Sequence, residues 1–185
     1  TMPVEDSDDS LMNKAATGDP VAFDGIVRRH QHQLQRFATR MLGGDSARGA
    51  DVAVGAFLRL WEKRTTFHAH GQTGAWLLKT AYHLCLDILA CDRSKVDLDT
   101  EWPSPERIDS CVEKSALAQA IRDAVMELPM SHRAVIVLSV YEGLSYEEIS
   151  QALDVSPGTV GSRKNHALTV LRRRLSAWDD SPLRQ

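Results

Sequence analysis

The sequence has no run approaching the roughly 18 consecutive apolar residues that a membrane span needs, so no insertion of this chain into a membrane is expected. Its first ten residues, TMPVEDSDDS, carry four acids and no base, the reverse of a secretory leader, and a cytoplasmic protein is expected. Cysteine is scarce. Cys85, Cys91 and Cys111 form no C-x-x-C pair and are odd in number, which excludes a disulfide framework. His83, Cys85, Cys91, His68 and His70 could be gathered into a zinc site. Cys91, however, falls on an apolar stripe with Cys85 beside it, where cysteine serves as a small hydrophobe, so no metal is expected. Nor is there a nucleophile–base motif, a phosphate-binding loop or a dinucleotide fingerprint, so neither enzymatic chemistry nor a cofactor is expected of the chain. Strand-like alternation is absent throughout, which leaves an all-α fold.

What is present is helical period. Asp19-Pro20 is an N-cap and first-turn pair, after which Phe23, Val27, His30, Leu34, Phe37 and Met41 recur at steps of three and four up to Gly43-Gly44. Ala50, Val54, Phe57 and Trp61 predict a second helix, and Leu77, Ala81, Leu84, Ile88 and Cys91 a third. Trp61 and Trp76 are expected mainly in the core.

Residues 94–111, SKVDLDTEWPSPERIDSC, hold two prolines and no sustained period and read as an acidic linker, which divides the chain into domains at 8–93 and 112–178. Charge follows the same division: residues 20–93 hold ten Lys/Arg against six Asp/Glu, residues 94–115 three against six. Beyond the linker, Val112, Ala116, Ala120, Ala124 and Leu128 restore the helical period, which passes Pro129 and runs on to Tyr141 before stopping at Gly143. Ser145 with Glu148 fits a capping box. Only Asp154-Val155-Ser156 separate that short helix from one opening at Pro157, the spacing of a helix-turn-helix, whose second helix can enter a DNA major groove.

No acid occurs from Val155 through Trp178. If Val160, Ala167, Leu171 and Leu175 face inward, then Thr159, Ser162, Arg163 and His166 share the opposite side and are candidate groove residues, with Ser156 at the helix start. Arg172 and Arg173 lie in a basic triplet further along. Such a triplet can be a solvated C-terminal turn, but helices built only for solubility mix signs, and a role against phosphate is expected here. Gly161 within this helix is either a point of close backbone approach or a lost contact.

The string LPMSHRAVIVLSVYEGLSYEEISQALDVSPGTVGSRKNHALTVLRR resembles the σ4 domain of the extracytoplasmic-function (ECF) subfamily of sigma-70 factors. GDPVAFDGIVRRHQHQLQRFATRML, AFLRLWEK and AWLLKTAYHLCLDIL are similar to the σ2 domain of the same family, in the same order. The resemblance implies two helical domains, a σ2-like bundle and a σ4-like helix-turn-helix. It also implies an initiation factor that carries core RNA polymerase to promoter DNA. By that resemblance Lys79, Tyr82, His83 and Asp87 would meet the minus-ten region, Asp51, Val54, Gly55, Leu58 and Arg59 would meet polymerase, and an anti-sigma protein would be a further partner.

Two departures from the family pattern stand out. Asp51-Val52-Ala53-Val54-Gly55 replaces a more polar docking segment, and Gly161 stands where the family has lysine. The first, at Val54-Gly55, keeps open an alternative, a stand-alone helix-turn-helix regulator with weakened polymerase docking.

Overall fold

The computed structural model describes residues 6–67, 71–96 and 112–179, which are helical without a strand among them. The first group comprises α1 (Asp8–Ala16), α2 (Pro20–Met41), α3 (Ser46–Lys63) and α4 (Thr73–Val96). The second comprises α5 (Val112–Met126), α6 (Met130–Ile136), a π turn over Val137–Tyr141, α7 (Tyr146–Leu153) and α8 (Pro157–Asp179). The helix expected to reach Tyr141 therefore widens in its last five residues, where the Glu142 amide bonds back to the Val137 carbonyl at 3.1 Å. α4 takes in the first three residues of the expected linker, since no proline interrupts the helix before Pro103. Residues 97–111, with Cys111, lie outside the described residues, as do His68 and His70.

Local chemistry sets the helix starts. The Asp19 carboxylate accepts from the amides of Val21 (2.9 Å) and Ala22 (3.3 Å), with Pro20 in the first turn. Asp45 caps α3 through the Arg48 amide at 3.0 Å. The Ser145–Glu148 capping box forms in both directions: Glu148 accepts from the Ser145 amide at 2.8 Å, and Ser145 Oγ accepts from the Glu148 amide at 3.3 Å. α1 carried no sequence expectation of its own. It docks on α2 through buried Met12 and Ala15, and its Asp8 meets His30 Nε2 at 2.6 Å and Arg29 Nη1 at 2.5 Å.

The stripes differ in phase from the simplest reading. On α3 the buried residues are Gly49, Val52, Ala53, Ala56, Phe57 and Leu60, so Val54 is not in the core but 57% exposed. The run VAVGAF is apolar at every step, so period alone could not decide which face turns inward. Cys91, expected on the buried stripe of α4, is exposed, whereas Cys85 is fully buried, with its thiol pushed up to about 12 by that burial.

The two helical groups share a core. Leu34, Phe37, Leu60, Leu77 and Ala81 of the first group cluster with Val135, Leu138, Ile149 and Val160 of the second. α7 packs on α4, and the α6–π segment packs on α2. Residues 133–138 are buried in succession, as a helix wedged between neighbours on all sides must be. Buried Arg133 donates to the carbonyl of Met41 at the end of α2 (2.9 Å) and to those of Met126 and Leu128 near the end of α5, where carbonyls lack helical partners. Glu142, just past the π turn, hides its carboxylate completely and accepts from Arg36 Nη2 (2.7 Å) and Arg40 Nη1 (2.9 Å) of α2.

Candidate nucleic-acid interface

α7 and α8 are joined through Asp154, whose φ of 56° puts a non-glycine residue in the left-handed region and turns the chain sharply. Ser156 then opens α8, its hydroxyl accepting from the Thr159 amide at 3.1 Å and lying 2.8 Å from the Thr159 hydroxyl. Val160 and Ala167 are fully buried and Leu171 and Leu175 half-buried, so the inward stripe lies where the spacing put it. On the remaining surface, Ser162 and His166 are exposed and Thr159 and Arg163 half-buried. Arg172 and Arg173 are exposed, and no acid among the described residues pairs with either or with Arg163. Arg174, the third of the triplet, instead pairs with Glu127.

Gly161 faces neither solvent alone nor a gap. A Cβ built on it would lie 3.4 Å from the Tyr146 ring, an ordinary contact, so its neighbour is the first helix of the motif. Lys164 lies over the same ring, 5.3 Å from its centroid.

The second cluster lies on α4. His83 and Asp87 are exposed, but Lys79 donates to Asp154 at 2.8 Å and Tyr82 is half-buried. Burial raises the Tyr82 phenol above its ordinary value, and Arg163 of α8 acts in the opposite direction. The face carrying Lys79 and Tyr82 thus lies against the helix-turn-helix. The Lys79–Asp154 pair is exposed on both sides and contributes little to holding that contact.

The third cluster lies on α3, where Asp51, Val54, Leu58 and Arg59 are exposed at helical spacing. Val54 and Leu58, each 57% exposed, form an uncovered apolar stripe between an acid and a base. Gly55 sits at its edge, half-buried; its absent side chain brings α3 close to α4, since a Cβ there would lie 3.3 Å from a Leu84 methyl.

These three surfaces lie on a fold with known counterparts. The Sigma-70 region 2 family model matches residues 26–94 and the Sigma-70, region 4 model residues 118–171. The ECF RNA polymerase sigma factor SigM of Mycobacterium tuberculosis is 31% identical over 173 residues, which cover 92% of this chain and 86% of that protein. The chain belongs to the ECF sigma factors. SigW of Bacillus subtilis is 28% identical over 171 residues, with 85% of this chain and 91% of that protein covered. Among solved structures, CnrH in complex with the cytosolic domain of CnrY matches with a TM-score of 0.72 and 26% identity over 95% of this chain and 100% of that one. As a sigma factor, the protein binds core RNA polymerase and directs it to promoters. None of its described helices is long and apolar enough to cross a membrane.

Sequence reasoning missed Glu142 and Asp154 as organisers of these surfaces. Both were visible as acids in turn segments, but their basic partners lie far off in sequence.

Proposed function

We propose that this sigma factor divides its work among three faces. The Val54–Leu58 stripe, with Asp51, Gly55 and Arg59, docks core polymerase. α4 takes the minus-ten region through exposed His83 and Asp87, joined by Lys79 and Tyr82 once the helix-turn-helix moves off the face that carries them. α8 reads the upstream element through Ser156, Thr159, Ser162, Arg163 and His166, with Arg172 and Arg173 against phosphates. The working units are residues 8–93 and 112–178, and the protein acts in the cytoplasm without chemistry of its own.

The observation that carries this reading is α8 itself: a long helix opened by a capped turn, with its inward stripe seated and no acid before its last residue. Such a face suits a polyanion, since each phosphate neutralised adds affinity by releasing counterions. The uncovered stripe on α3 supports docking and weighs against a stand-alone regulator, for which exposed Val54 and Leu58 would have no use. An anti-sigma protein is a further proposed partner, supported by the likeness to CnrH, which was solved bound to another protein.

Two substitutions test the division. Leu58→Asp should reduce co-purification with core polymerase by at least about tenfold, the effect of placing an unpaired charge in an apolar contact. Arg163→Ala should leave polymerase binding intact and relax the preferred base at one upstream position, at a cost of roughly 1–3 kcal/mol. Unchanged polymerase binding by Leu58→Asp, or uniform weakening on all sequences by Arg163→Ala, overturns the corresponding assignment.

A further inference from the structure

His132 lies in α6, outside the helix-turn-helix, yet its ring meets that of His166 edge-on, with centroids 4.9 Å apart at 60°. The ring is half-buried, and Ser131 Oγ approaches its Nδ1 at 3.4 Å. Burial holds this imidazole below its ordinary value, and His166 and Arg163 depress it further. Both of those groups come from α8. Arg133, the next residue in α6, turns its guanidinium away to the carbonyls of Met41, Met126 and Leu128, while Tyr82 of α4 faces Arg163. No acid among the described residues pairs with His132, His166 or Arg163.

Two imidazoles and a guanidinium from two helices therefore converge without a counter-anion. A proton on His132 is opposed by its burial, by the His166 ring and by Arg163, so this ring is poised to charge only when an anion arrives. Given the reading of α8 as the upstream-element helix, that anion is a phosphodiester of the duplex. We propose that His132 is a positioning residue for upstream-element binding: it braces His166 on the DNA-facing side of α8, and it takes up a proton as a backbone phosphate approaches Arg163 and His166.

The sign of the linkage follows. A phosphate beside His132 favours its charged form, so DNA-bound protein holds more protons than free protein and affinity rises as pH falls. The rise belongs to the window below about pH 7, where imidazoles titrate, and is limited to about tenfold per pH unit for each proton taken up.

The experiment measures binding of holoenzyme, assembled from the full chain and core polymerase, to a duplex that it selects from a randomised pool, across that window. Wild type should tighten several-fold between about pH 7.5 and pH 6. His132→Phe keeps an aromatic edge against His166 but cannot take a proton. It should bind within about twofold of wild type at the alkaline end and lose most of the gain on acidification. His132→Gln, which packs differently, should lose the gain as well, so one poorly folding variant does not decide the matter. Arg173→Ala should weaken binding at every pH and keep the slope. Equal slopes in wild type and both His132 variants overturn the proposal. If Arg163→Ala also leaves the selected sequence unchanged, the reading of α8 falls with it; if Arg163→Ala alters that sequence, the proposal alone is lost.

Discussion

The clamp on Glu142 allows a quantitative comparison, because its members differ in exposure. The carboxylate is wholly buried, while Arg36 and Arg40 remain 53% and 34% exposed. Glu142→Gln removes the buried charge and leaves two guanidiniums that can return to water. The net loss should be about 1–2 kcal/mol, the scale of charge-assisted hydrogen bonds with partly solvated donors. Replacing Arg36 and Arg40 together with alanine strands an unpaired carboxylate in the interior, which costs about 3–5 kcal/mol. A further ~0.5–1 kcal/mol is lost with the Arg40 guanidinium, which lies 4.8 Å from the centre of the Tyr141 ring. Combining all three substitutions leaves no buried charge, so the triple variant should be more stable than the double by at least about 1 kcal/mol. Urea unfolding of the full chain, followed by circular dichroism and tryptophan fluorescence, gives the three values, with slopes checked for a common two-state transition. A triple variant no better than the double, or a Glu142→Gln loss as large as that of the double, would refute the reasoning.

Asp8 should make the docking of α1 acid-sensitive. Burial alone would raise its carboxyl, but hydrogen bonds from His30 and Arg29 outweigh burial and hold it below its ordinary value. The stabilisation is therefore complete above about pH 4 and lost as pH falls through the depressed folded value, and Asp8→Asn should remove that part of the acid dependence of hydrogen exchange in α1. Gly161→Ala should raise stability by about 0.5–1 kcal/mol in thermal unfolding, since a Cβ there meets the Tyr146 ring at contact distance; a destabilised variant would show that the helices cannot accept it. Iodoacetamide under native conditions at pH 8 should label Cys91 and spare Cys85, as peptide mass mapping will show; rapid labelling of Cys85 would contradict its burial and its raised value.

Much of the fold was legible because helices are written locally. The Asp19-Pro20 start and the Ser145–Glu148 box each involve residues within three positions of one another, and both form. The inward stripe of α8 was legible for the same reason, since the polar run Ser162–His166 between Val160 and Ala167 leaves those two on one face of its first turns. α3 was not, because an apolar residue at nearly every step gives no phase, and only packing against α2 and α4 turned Val54 outward and Gly55 toward Leu84.

The sequence by itself determined an all-helical chain, a helix-turn-helix near its end and a basic face cleared of acids, since each rests on spacing or composition within a few turns. Tertiary structure alone decided that Lys79 meets Asp154 across 75 positions, that Glu142 meets Arg36 across 106, and that the two helical groups share a core. Such pairings depend on how whole helices dock. The apolar surface left over by each small bundle, too small to be stable when exposed, drives that docking, and the charges at its rim then find partners that no local pattern specifies.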